Sequence, residues 1–282
     1  MSPQALYVIL GFPVAHSKSP AMHNAAFAAL QIPAMYAPCA VHPDALRDAI
    51  AGIRALGIAG ANVTLPHKSA VMQWLDDATP QARAIGAVNT LYWDNQRLIG
   101  HNTDAPGLAQ SLITGSATLQ GTRITLLGAG GAARATIVGL ADAGAAHITV
   151  VARRHEAATQ TVSELAPSLT HHTCTLEALP WERLADLFKR TDLLVQGTSA
   201  TLAGQPQAAD FAAALPLEQL PDHALVTDLV YKPLLTTVLA RAQARGLRTI
   251  DGLGMLLHQG ALAFERWTGQ VAPLDVMREA LL

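Results

Sequence analysis

The stretch ITLLGAGGAARATIVGLADAGAAHITVVARR, residues 124–154, decides the fold class of this chain. An apolar run over 124–127 ends in a glycine-rich turn, small and aliphatic residues follow, and a second apolar run covers 148–152. Short apolar runs bounded by glycine are typical of buried strands, and a helix of small residues can pack closely on a sheet. The stretch therefore predicts strand, helix and strand, with the two strands parallel because a helix connects them.

The turn GAGGAA, residues 128–133, fits the spacing GxGxxA. Glycines at this spacing let backbone N–H groups and a helix N-terminus face a phosphate group. A lone fingerprint of this kind also fits a tight turn that binds nothing, but the two flanking strands favour a dinucleotide site. The residues predicted to contact the pyrophosphate are Gly128, Ala129, Gly130, Gly131 and Ala132.

The end of the second strand distinguishes between two dinucleotides. NAD sites usually place Asp or Glu there for the ribose 2′-hydroxyl, whereas this chain has Ala152, Arg153 and Arg154. Guanidinium groups bind phosphate in a planar, bidentate manner, so the sequence favours NADP. The two arginines also fit an ordinary solvated helix start, and Glu156 is close enough in sequence to turn toward the ribose, which leaves NAD possible.

The first part of the chain predicts a separate α/β unit. Apolar strands alternate with helices there, and that order indicates a parallel sheet. The predicted elements are strands over 6–11, 34–41 and 58–65 and helices over 19–30 and 42–56. Ser19 fits the N-cap of the first helix with Pro20 at N1, and Leu46, Ile50 and Ile53 fall on one face of the second.

The remaining elements are consistent with two domains, which is also the expectation for 282 residues. Residues 88–101 predict a hairpin around Asp94 and Asn95, 116–123 form a polar connector and candidate boundary, and strands are expected within 191–200 and 223–231. The segments 103–113 and 254–269 predict helices, the second with a core face of Met255, Leu256, Ala263 and Trp267.

Composition excludes several functional classes. A net charge of −2, 14% charged residues and 5% aromatic residues argue against nucleic acid and anionic membranes as partners. No apolar run reaches the roughly 18 residues of a membrane span, and the N-terminus lacks the basic region of a signal peptide. Cys39 and Cys174 form no CxxC motif, which fits a reducing compartment, so we expect a cytoplasmic protein.

Polar residues cluster in four segments at predicted strand ends, where α/β proteins bind ligands. The segments are HSKSP (16–20), NVTLPHK (62–68), GAVNT (86–90) and HNTDAPG (101–107). Their hydroxyls, amides and charges predict a site for a small polyhydroxylated or carboxylated substrate, built from Ser17, Ser19, Asn62, Thr64, Lys68, Asn89 and Asp104. Structural roles remain open for several of them: Ser19 and Asp104 also fit helix caps, and Asn89 and Asn102 fit turns.

Histidines give no metal-binding pattern. His16, His23 and the pair His171-His172 lack the spacing and the neighbouring carboxylates of a metal site, so we expect structural or solvent-exposed roles and no bound metal.

Taken together, these segments resemble the shikimate dehydrogenase family over nearly the whole chain. The matching stretches are GFPVAHSKSPAMHN, NVTLPHK, IGAVNT, HNTDAPG, LLGAGGAARA, TDLVYKPLLT and DGLGMLLHQGALAF. The resemblance implies reversible, NADPH-dependent reduction of 3-dehydroshikimate to shikimate, a step of chorismate and aromatic amino-acid biosynthesis, by a monomer or homodimer. It also implies an open α/β substrate domain over 1–108, completed by C-terminal helices over 250–282, and a Rossmann-like NADP domain over 109–249.

The resemblance also implies roles for individual residues. It makes Lys68 and Asp104 the catalytic pair. The residues that it places against the substrate are Ser17, Ser19, Thr64, Asn89, Asp104, Tyr231 and Gln259. Beyond the glycine-rich turn, it places Arg153 at the 2′-phosphate with Arg154 beside it, Leu229 against the cofactor, and Gly252 near the nicotinamide end.

Three departures from the family pattern keep alternatives open. Ala152-Arg153-Arg154 replaces Asn-Arg-Thr, Ala157 replaces an arginine, and the stretch QGT over 196–198 replaces Asn-Ala-Thr. A double arginine also occurs in the branch of the family that accepts quinate and NAD. A quinate/shikimate dehydrogenase using NAD, an enzyme acting on a related analogue, and a non-catalytic homologue are therefore the alternatives, although the intact Lys68 and Asp104 argue against the last.

Overall fold

The computed structural model of the chain describes residues 5–170 and 173–282. The chain divides into two compact units, the first running up to Gly107 and including Leu256–Leu282, the second comprising Leu108–Met255. His171 and His172, for which structural or solvent-exposed roles were predicted, lie outside the described residues.

The first unit contains a six-stranded mixed sheet in the order β2-β1-β3-β5-β6-β4. Its strands are β1 Ala5–Gly11, β2 Ala34–Ala40, β3 Gly60–Val63, β4 Asp77–Ala78, β5 Thr90–Asp94 and β6 Arg97–His101. β1 pairs in parallel with β2 and β3, which confirms the parallel unit predicted for the first part of the chain. β5 runs antiparallel to both β3 and β6, so the predicted hairpin extends the parallel strands into a mixed sheet.

The hairpin turn lies one residue later than predicted. Asp94 pairs with Arg97, so the turn residues are Asn95 and Gln96 rather than Asp94 and Asn95. Asn95 has a φ of 55°, a left-handed conformation that asparagine tolerates better than most residues. Local turn chemistry therefore identified the turn, and the cross-strand pairing set its register.

The helices of the first unit pack around this sheet. They are α1 Ser19–Ala29, α2 Leu46–Ala55, α3 Pro80–Ile85 and α11 Leu274–Glu279, while α4 Asp104–Thr114 and α10 Leu253–Thr268 contain the positions at which the chain passes between units. The apolar face of α2 is confirmed, because Leu46, Ile50 and Ile53 are all buried in the core of this unit.

Two details of the helix predictions are wrong. Lys18 is the N-cap of α1 and Ser19 its first helical residue, because the Ser17 hydroxyl accepts the Ser19 N–H at 3.2 Å and satisfies the helix start from outside. On α10, Ala263 is buried as predicted, but Met255, Leu256 and Trp267 are only half-buried and Phe264 is buried instead.

The second unit contains a six-stranded parallel sheet in the order β12-β11-β10-β7-β8-β9. Its strands are β7 Arg123–Leu127, β8 His147–Val151, β9 Thr175–Ala178, β10 Leu193–Gln196, β11 Leu225–Asp228 and β12 Arg248–Ile250. Its helices are α5 Gly131–Asp142, α6 His155–Leu165, α7 Leu184–Phe188, α8 Ala208–Ala213 and α9 Thr237–Ala244. The predicted α/β fold class, with a parallel Rossmann-like sheet, is confirmed.

Short 3₁₀ helices connect several of these elements. They cover Pro43–Ala45, Ala70–Trp74, Ala166–Leu169, Trp181–Arg183 and Leu217–Gln219. Across the described ranges, no helix combines the length and the apolar character that a membrane crossing requires. Within the same ranges, no three His, Cys, Asp or Glu side chains are grouped in a way that could hold a metal ion.

Candidate active site

Lys68 and Asp104 form an ion pair at one edge of the mixed sheet. Nζ of Lys68 donates to Oδ2 of Asp104 at 2.7 Å, and the side chains are 22% and 8% exposed. The sheet order explains why they meet. Lys68 follows β3, Asp104 begins α4 after β6, and β5 lies between these strands, with Thr90 opposite both Asn62 and His101. Loops 36 residues apart in sequence therefore leave the sheet at the same edge.

The loop that carries Lys68 is fixed by its neighbours. The His67 N–H donates to Thr64 O at 2.9 Å, and the Lys68 carbonyl accepts the Val88 N–H at 2.8 Å. The buried His67 ring places Nε2 2.7 Å from Val41 O, and because a carbonyl only accepts, this nitrogen carries the proton. His67 therefore anchors the loop to the end of β2.

Asn89 holds the second oxygen of Asp104. Its Nδ2 donates to Asp104 Oδ1 and to Thr103 Oγ1, each at 2.9 Å, and lies 3.3 Å from Gln259 Oε1. Its Oδ1 accepts the Thr103 N–H at 2.8 Å and the Thr90 hydroxyl at 2.9 Å. Asn89 is 2% exposed, so its amide is satisfied by protein groups and fixes the Asp104 carboxylate.

Asn102 organises the start of α4. Its Oδ1 accepts the N–H groups of Asp104 and Ala105 at 3.0 and 3.2 Å, and its Nδ2 donates to Ala87 O at 3.0 Å. The structural role considered for Asn102 is therefore the one observed. Asp104 is the first helical residue and is directed to Lys68 and Asn89, as the preceding distances show.

Thr90 and Thr103 belong to this cluster although sequence reasoning did not select them. Both are fully buried, and their hydroxyls lie 3.2 Å apart. A sequence signal existed, because the dipeptide Asn-Thr occurs twice, as Asn89-Thr90 at the start of β5 and as Asn102-Thr103 just after β6. When the same polar dipeptide occurs at the adjoining ends of two paired strands, its side chains are expected to hydrogen-bond to one another.

Gln259 also lies in the cluster, on α10. Its Nε2 donates to Leu256 O at 2.8 Å, which leaves Oε1 directed to Asn89. A Cβ atom on Gly107 would lie 2.7 Å from the Gln259 backbone nitrogen, so glycine at 107 permits α4 and α10 to approach closely. This approach brings Gln259 beside the first turn of α4.

The other predicted substrate residues have different surroundings. Ser17 and Thr64 are half-buried in the loops after β1 and β3, whose ends are joined by the Thr64 N–H to Leu10 O bond of 2.8 Å. Tyr231 belongs to the second unit, is half-buried, and has the pKa of its hydroxyl raised by burial.

The second unit has a cavity of about 670 Å³ beside its glycine-rich turn. The lining residues that bear on ligand binding are Gly128, Ala129, Gly130, Arg153, Arg154 and Thr198. Gly128 has a φ of 115°, and a Cβ there would lie 3.0 Å from Thr198 Cγ2. Cβ atoms at Gly130 and Gly131 would meet no atom within 4 Å. Side chains there would project into open space at the N-terminus of α5, so the turn fits a bound pyrophosphate.

The exposed Arg153 and Arg154 line this cavity, whereas Glu156 is not among the lining residues. Positive charge at the end of β8 without a carboxylate fits a ribose 2′-phosphate. Leu229 and Gly252 lie elsewhere in the unit, where a Cβ on Gly252 would come within 2.6 Å of Leu229 O. Glycine at 252 therefore allows a close backbone approach just beyond β11.

Gln196 shapes the loop that forms another wall of the cavity. Its Oε1 accepts the Thr198 N–H at 2.7 Å, and its Nε2 donates to Thr198 O and to Thr201 Oγ1, each at 3.0 Å. The Asp228 carboxylate holds this amide in place, because it accepts a hydrogen bond from Gln196 Nε2 at 3.3 Å. It also accepts from the hydroxyls of Thr201 and Thr236 at 2.9 and 2.7 Å. Burial raises the pKa of the Asp228 carboxyl, and the surrounding donors oppose that rise.

Comparison with known proteins gives consistent similarities over the whole chain. Family profiles described as the shikimate dehydrogenase substrate binding domain, shikimate / quinate 5-dehydrogenase, and the shikimate 5′-dehydrogenase C-terminal domain match residues 9–91, 108–229 and 252–282, respectively. A shikimate dehydrogenase (NADP⁺) from Desulforamulus reducens is 46% identical over 97% of this chain and 93% of that protein.

Solved structures agree with these sequence similarities. A crystal structure of shikimate 5-dehydrogenase from Thermus thermophilus in complex with NADP(H) and shikimate is 38% identical, with a TM-score of 0.86 over 99% of this chain and 98% of that chain. Quinate dehydrogenase from Corynebacterium glutamicum in complex with NAD has a TM-score of 0.89 and 98% coverage of both chains, but only 27% identity.

Proposed function

The chain belongs to the shikimate dehydrogenase family, and from this premise we propose that Lys68 and Asp104 catalyse the reversible reduction of 3-dehydroshikimate to shikimate. The chain is an NADP-dependent oxidoreductase that acts on a CH–OH group. The observation that carries the catalytic assignment is the 2.7 Å contact between the Lys68 ammonium and the Asp104 carboxylate. The buried Asn89 amide holds this carboxylate through its other oxygen.

The two units are assigned different ligands. The first unit holds the substrate, as supported by the profile match over 9–91 and by the polar cluster around Asp104. The second unit holds NADP, as supported by the open space at Gly130 and by the two arginines that line the cavity. When bound, NADP(H) supplies the hydride to the substrate carbon or accepts it in the reverse direction.

The chain's own residues manage the proton. In the reducing direction, the Lys68 ammonium stabilises the oxyanion that develops on the substrate oxygen and donates a proton to it. In the oxidising direction, the pair accepts the proton of the substrate hydroxyl. Asp104 orients the ammonium through the 2.7 Å bond, and Asn89 fixes the carboxylate through its other oxygen.

The remaining contacts follow from the family pattern. The residues proposed to contact the substrate are Ser17, Ser19, Thr64, Asn89, Asp104, Tyr231 and Gln259. The residues proposed to contact NADP are Gly128, Ala129, Gly130, Gly131, Ala132, Arg153, Arg154, Leu229 and Gly252. Asn89 and Gln259 already bond to protein groups, so their substrate contacts would be added to their positioning of Asp104.

The cellular setting is proposed from the composition. A net charge of −2 and few aromatic residues support a protein that binds no nucleic acid. Two cysteines without a CxxC motif support a reducing compartment, the cytoplasm. We propose a monomer or homodimer as the working form.

Steady-state assays with two substrates and two cofactors test the function. Shikimate with NADP⁺ is expected to give the highest kcat/KM, and quinate or NAD⁺ to lower it. Preference for quinate with NAD⁺ would instead identify the quinate-using branch, and absence of any shikimate-dependent NADPH formation would refute the proposed reaction.

A further inference from the structure

We propose that Tyr36 is a positioning residue for the reaction, acting on the Asp104 cluster through Asn62. This inference rests on the proposed function, because it assigns Tyr36 to the substrate side of that reaction. Tyr36 lies on β2, between Met35 and Ala37.

The position of the Tyr36 hydroxyl is fixed by the packing of its ring and backbone. The side chain is 2% exposed, and its ring stacks on His23 with centroids 4.5 Å apart and planes at 17°. The Asn24 side-chain amide binds both backbone groups of Tyr36. It accepts the Tyr36 N–H at 2.8 Å and donates to the Tyr36 carbonyl at 2.9 Å. A phenol held in this way presents its hydroxyl at one place only.

The direction of the hydrogen bonds around Tyr36 follows from donor and acceptor rules. Asn62 Nδ2 lies 3.0 Å from the Asn89 carbonyl, and since a carbonyl only accepts, the orientation of the Asn62 amide is determined. Asn62 Oδ1 therefore faces Tyr36 and accepts its hydroxyl proton at 2.7 Å.

The chain of bonds continues from Asn62 to the catalytic carboxylate. Asn62 Nδ2 also donates to Thr90 Oγ1 at 3.2 Å, and the Thr90 hydroxyl donates to Asn89 Oδ1 at 2.9 Å. Asn89 Nδ2 then donates to Asp104 Oδ1 at 2.9 Å. Every bond points the same way, from the Tyr36 hydroxyl toward the carboxylate that Lys68 binds from the other side.

Burial makes this series of hydrogen bonds important for positioning. Counted over whole residues, each member of this series is at most 6% exposed, so a lost partner is not readily replaced by solvent; the members are Tyr36, Asn62, Thr90, Asn89 and Asp104. Without the Tyr36 hydroxyl, the side-chain carbonyl of Asn62 lacks its donor. The Asn62 amide and the residues that it holds then gain freedom, although the Tyr36 ring still packs.

The experiment compares Tyr36→Phe with the matched control Tyr7→Phe. Tyr7 is buried in the same aromatic cluster, 5.1 Å from Phe27 and 4.9 Å from Trp267 between ring centroids, but it takes no part in the described chain of bonds. We expect Tyr36→Phe to lower kcat/KM for shikimate about tenfold, since a buried neutral hydrogen bond contributes on the order of 1 kcal/mol. The KM for NADP⁺ should stay at the wild-type value, and Tyr7→Phe should match the wild type in both.

A second pair of variants breaks the chain at another link and protects the test against misfolding of Tyr36→Phe. Thr90→Val removes the hydroxyl that accepts from Asn62 and donates to Asn89, whereas Thr90→Ser keeps it. The valine variant should lose kcat/KM for shikimate and the serine variant should recover most of it.

The outcomes separate this inference from the function on which it rests. If the wild type oxidises shikimate but Tyr36→Phe behaves like Tyr7→Phe, the positioning role is overturned and the reaction stands. If the KM for NADP⁺ worsened by the same factor as kcat/KM for shikimate, the variant would have a general structural defect, and the positioning role would also be overturned. A wild type inactive toward shikimate would refute the proposed reaction, and the role of Tyr36 with it.

Discussion

Asp104 is held from two sides, with Oδ2 2.7 Å from Nζ of Lys68 and Oδ1 2.9 Å from Nδ2 of Asn89. The carboxylate is 8% exposed, whereas the lysine side chain remains 22% exposed. The fixed partner is therefore the anion, and the cation is the group with access to a ligand. This asymmetry supports the proposal that Lys68 transfers the proton and Asp104 orients Lys68.

Replacing Lys68 should affect turnover far more than binding. Lys68→Ala removes the proton donor, so kcat should fall by about 10²–10⁴-fold, the usual contribution of general acid–base catalysis. NADPH and shikimate should still bind, as measured by fluorescence titration. Lys189→Ala, at an exposed lysine paired with Asp186, is the control and should leave kcat unchanged. Near wild-type turnover in Lys68→Ala would exclude the lysine from the mechanism.

Arg153 should determine the choice between the two dinucleotides. Arg153→Ala removes a guanidinium from the cavity wall at the end of β8, so kcat/KM for NADP⁺ should fall by about ten- to a hundredfold, as for a lost charge-assisted hydrogen bond. The value for NAD⁺ should change little, because NAD⁺ lacks the 2′-phosphate. Arg190→Ala, at an exposed arginine beside Glu177, provides the control. Equal losses with both cofactors would contradict the assignment of Arg153.

Gln196 should control cofactor affinity through the loop that it holds. Gln196→Met keeps the length of the side chain but removes its bonds to both backbone groups of Thr198. The Kd for NADP⁺ should rise about five- to tenfold, the loss expected for about 1 kcal/mol of hydrogen bonding, while the KM for shikimate stays constant. The exposed Gln243, bonded to Thr249, supplies the control variant Gln243→Met. An unchanged Kd for NADP⁺ would separate the loop from cofactor binding.

The fold was predictable where local patterns determine it. Apolar runs bounded by glycine located the strands and the glycine-rich turn, because burial and φ requirements act within a few residues. Ser19 was wrongly predicted as the N-cap of α1. The Ser17 hydroxyl accepts the Ser19 N–H instead, and its position depends on the path of the preceding loop. Trp267 was predicted as core, but its indole N–H donates to Leu91 O at 2.9 Å and the side chain stays half-buried.

The site was only partly predictable because its contacts are long-range. Lys68 and Asp104 were identified as residues, but their convergence depends on β5 pairing with both β3 and β6. The relay through Thr90 requires that this residue face Asn62 across the sheet, which no local pattern specifies. Sequence therefore indicated which chemical groups matter, and sheet register determined which of them touch.

His23 should make the protein sensitive to acid. The side chain is completely buried, neither ring nitrogen has a hydrogen-bond partner within the described residues, and burial lowers the pKa of His23 from 6.5 to about 3. Below pH 6.5 the unfolded chain therefore binds a proton that the folded chain does not. The free energy of unfolding should fall by about 1.4 kcal/mol per pH unit from this residue until the pH approaches the folded pKa.

Chemical denaturation of the wild type and His23→Phe between about pH 7 and pH 4 isolates this contribution. His101, whose pKa burial lowers to about 4, adds to the wild-type slope, so the comparison rests on the difference between the two proteins. The phenylalanine variant should lose stability less steeply with falling pH whatever its stability at neutral pH, because it has no proton to bind. His42→Gln, at an exposed histidine, should keep the wild-type slope. Parallel slopes for the wild type and His23→Phe would mean that His23 is protonated without unfolding.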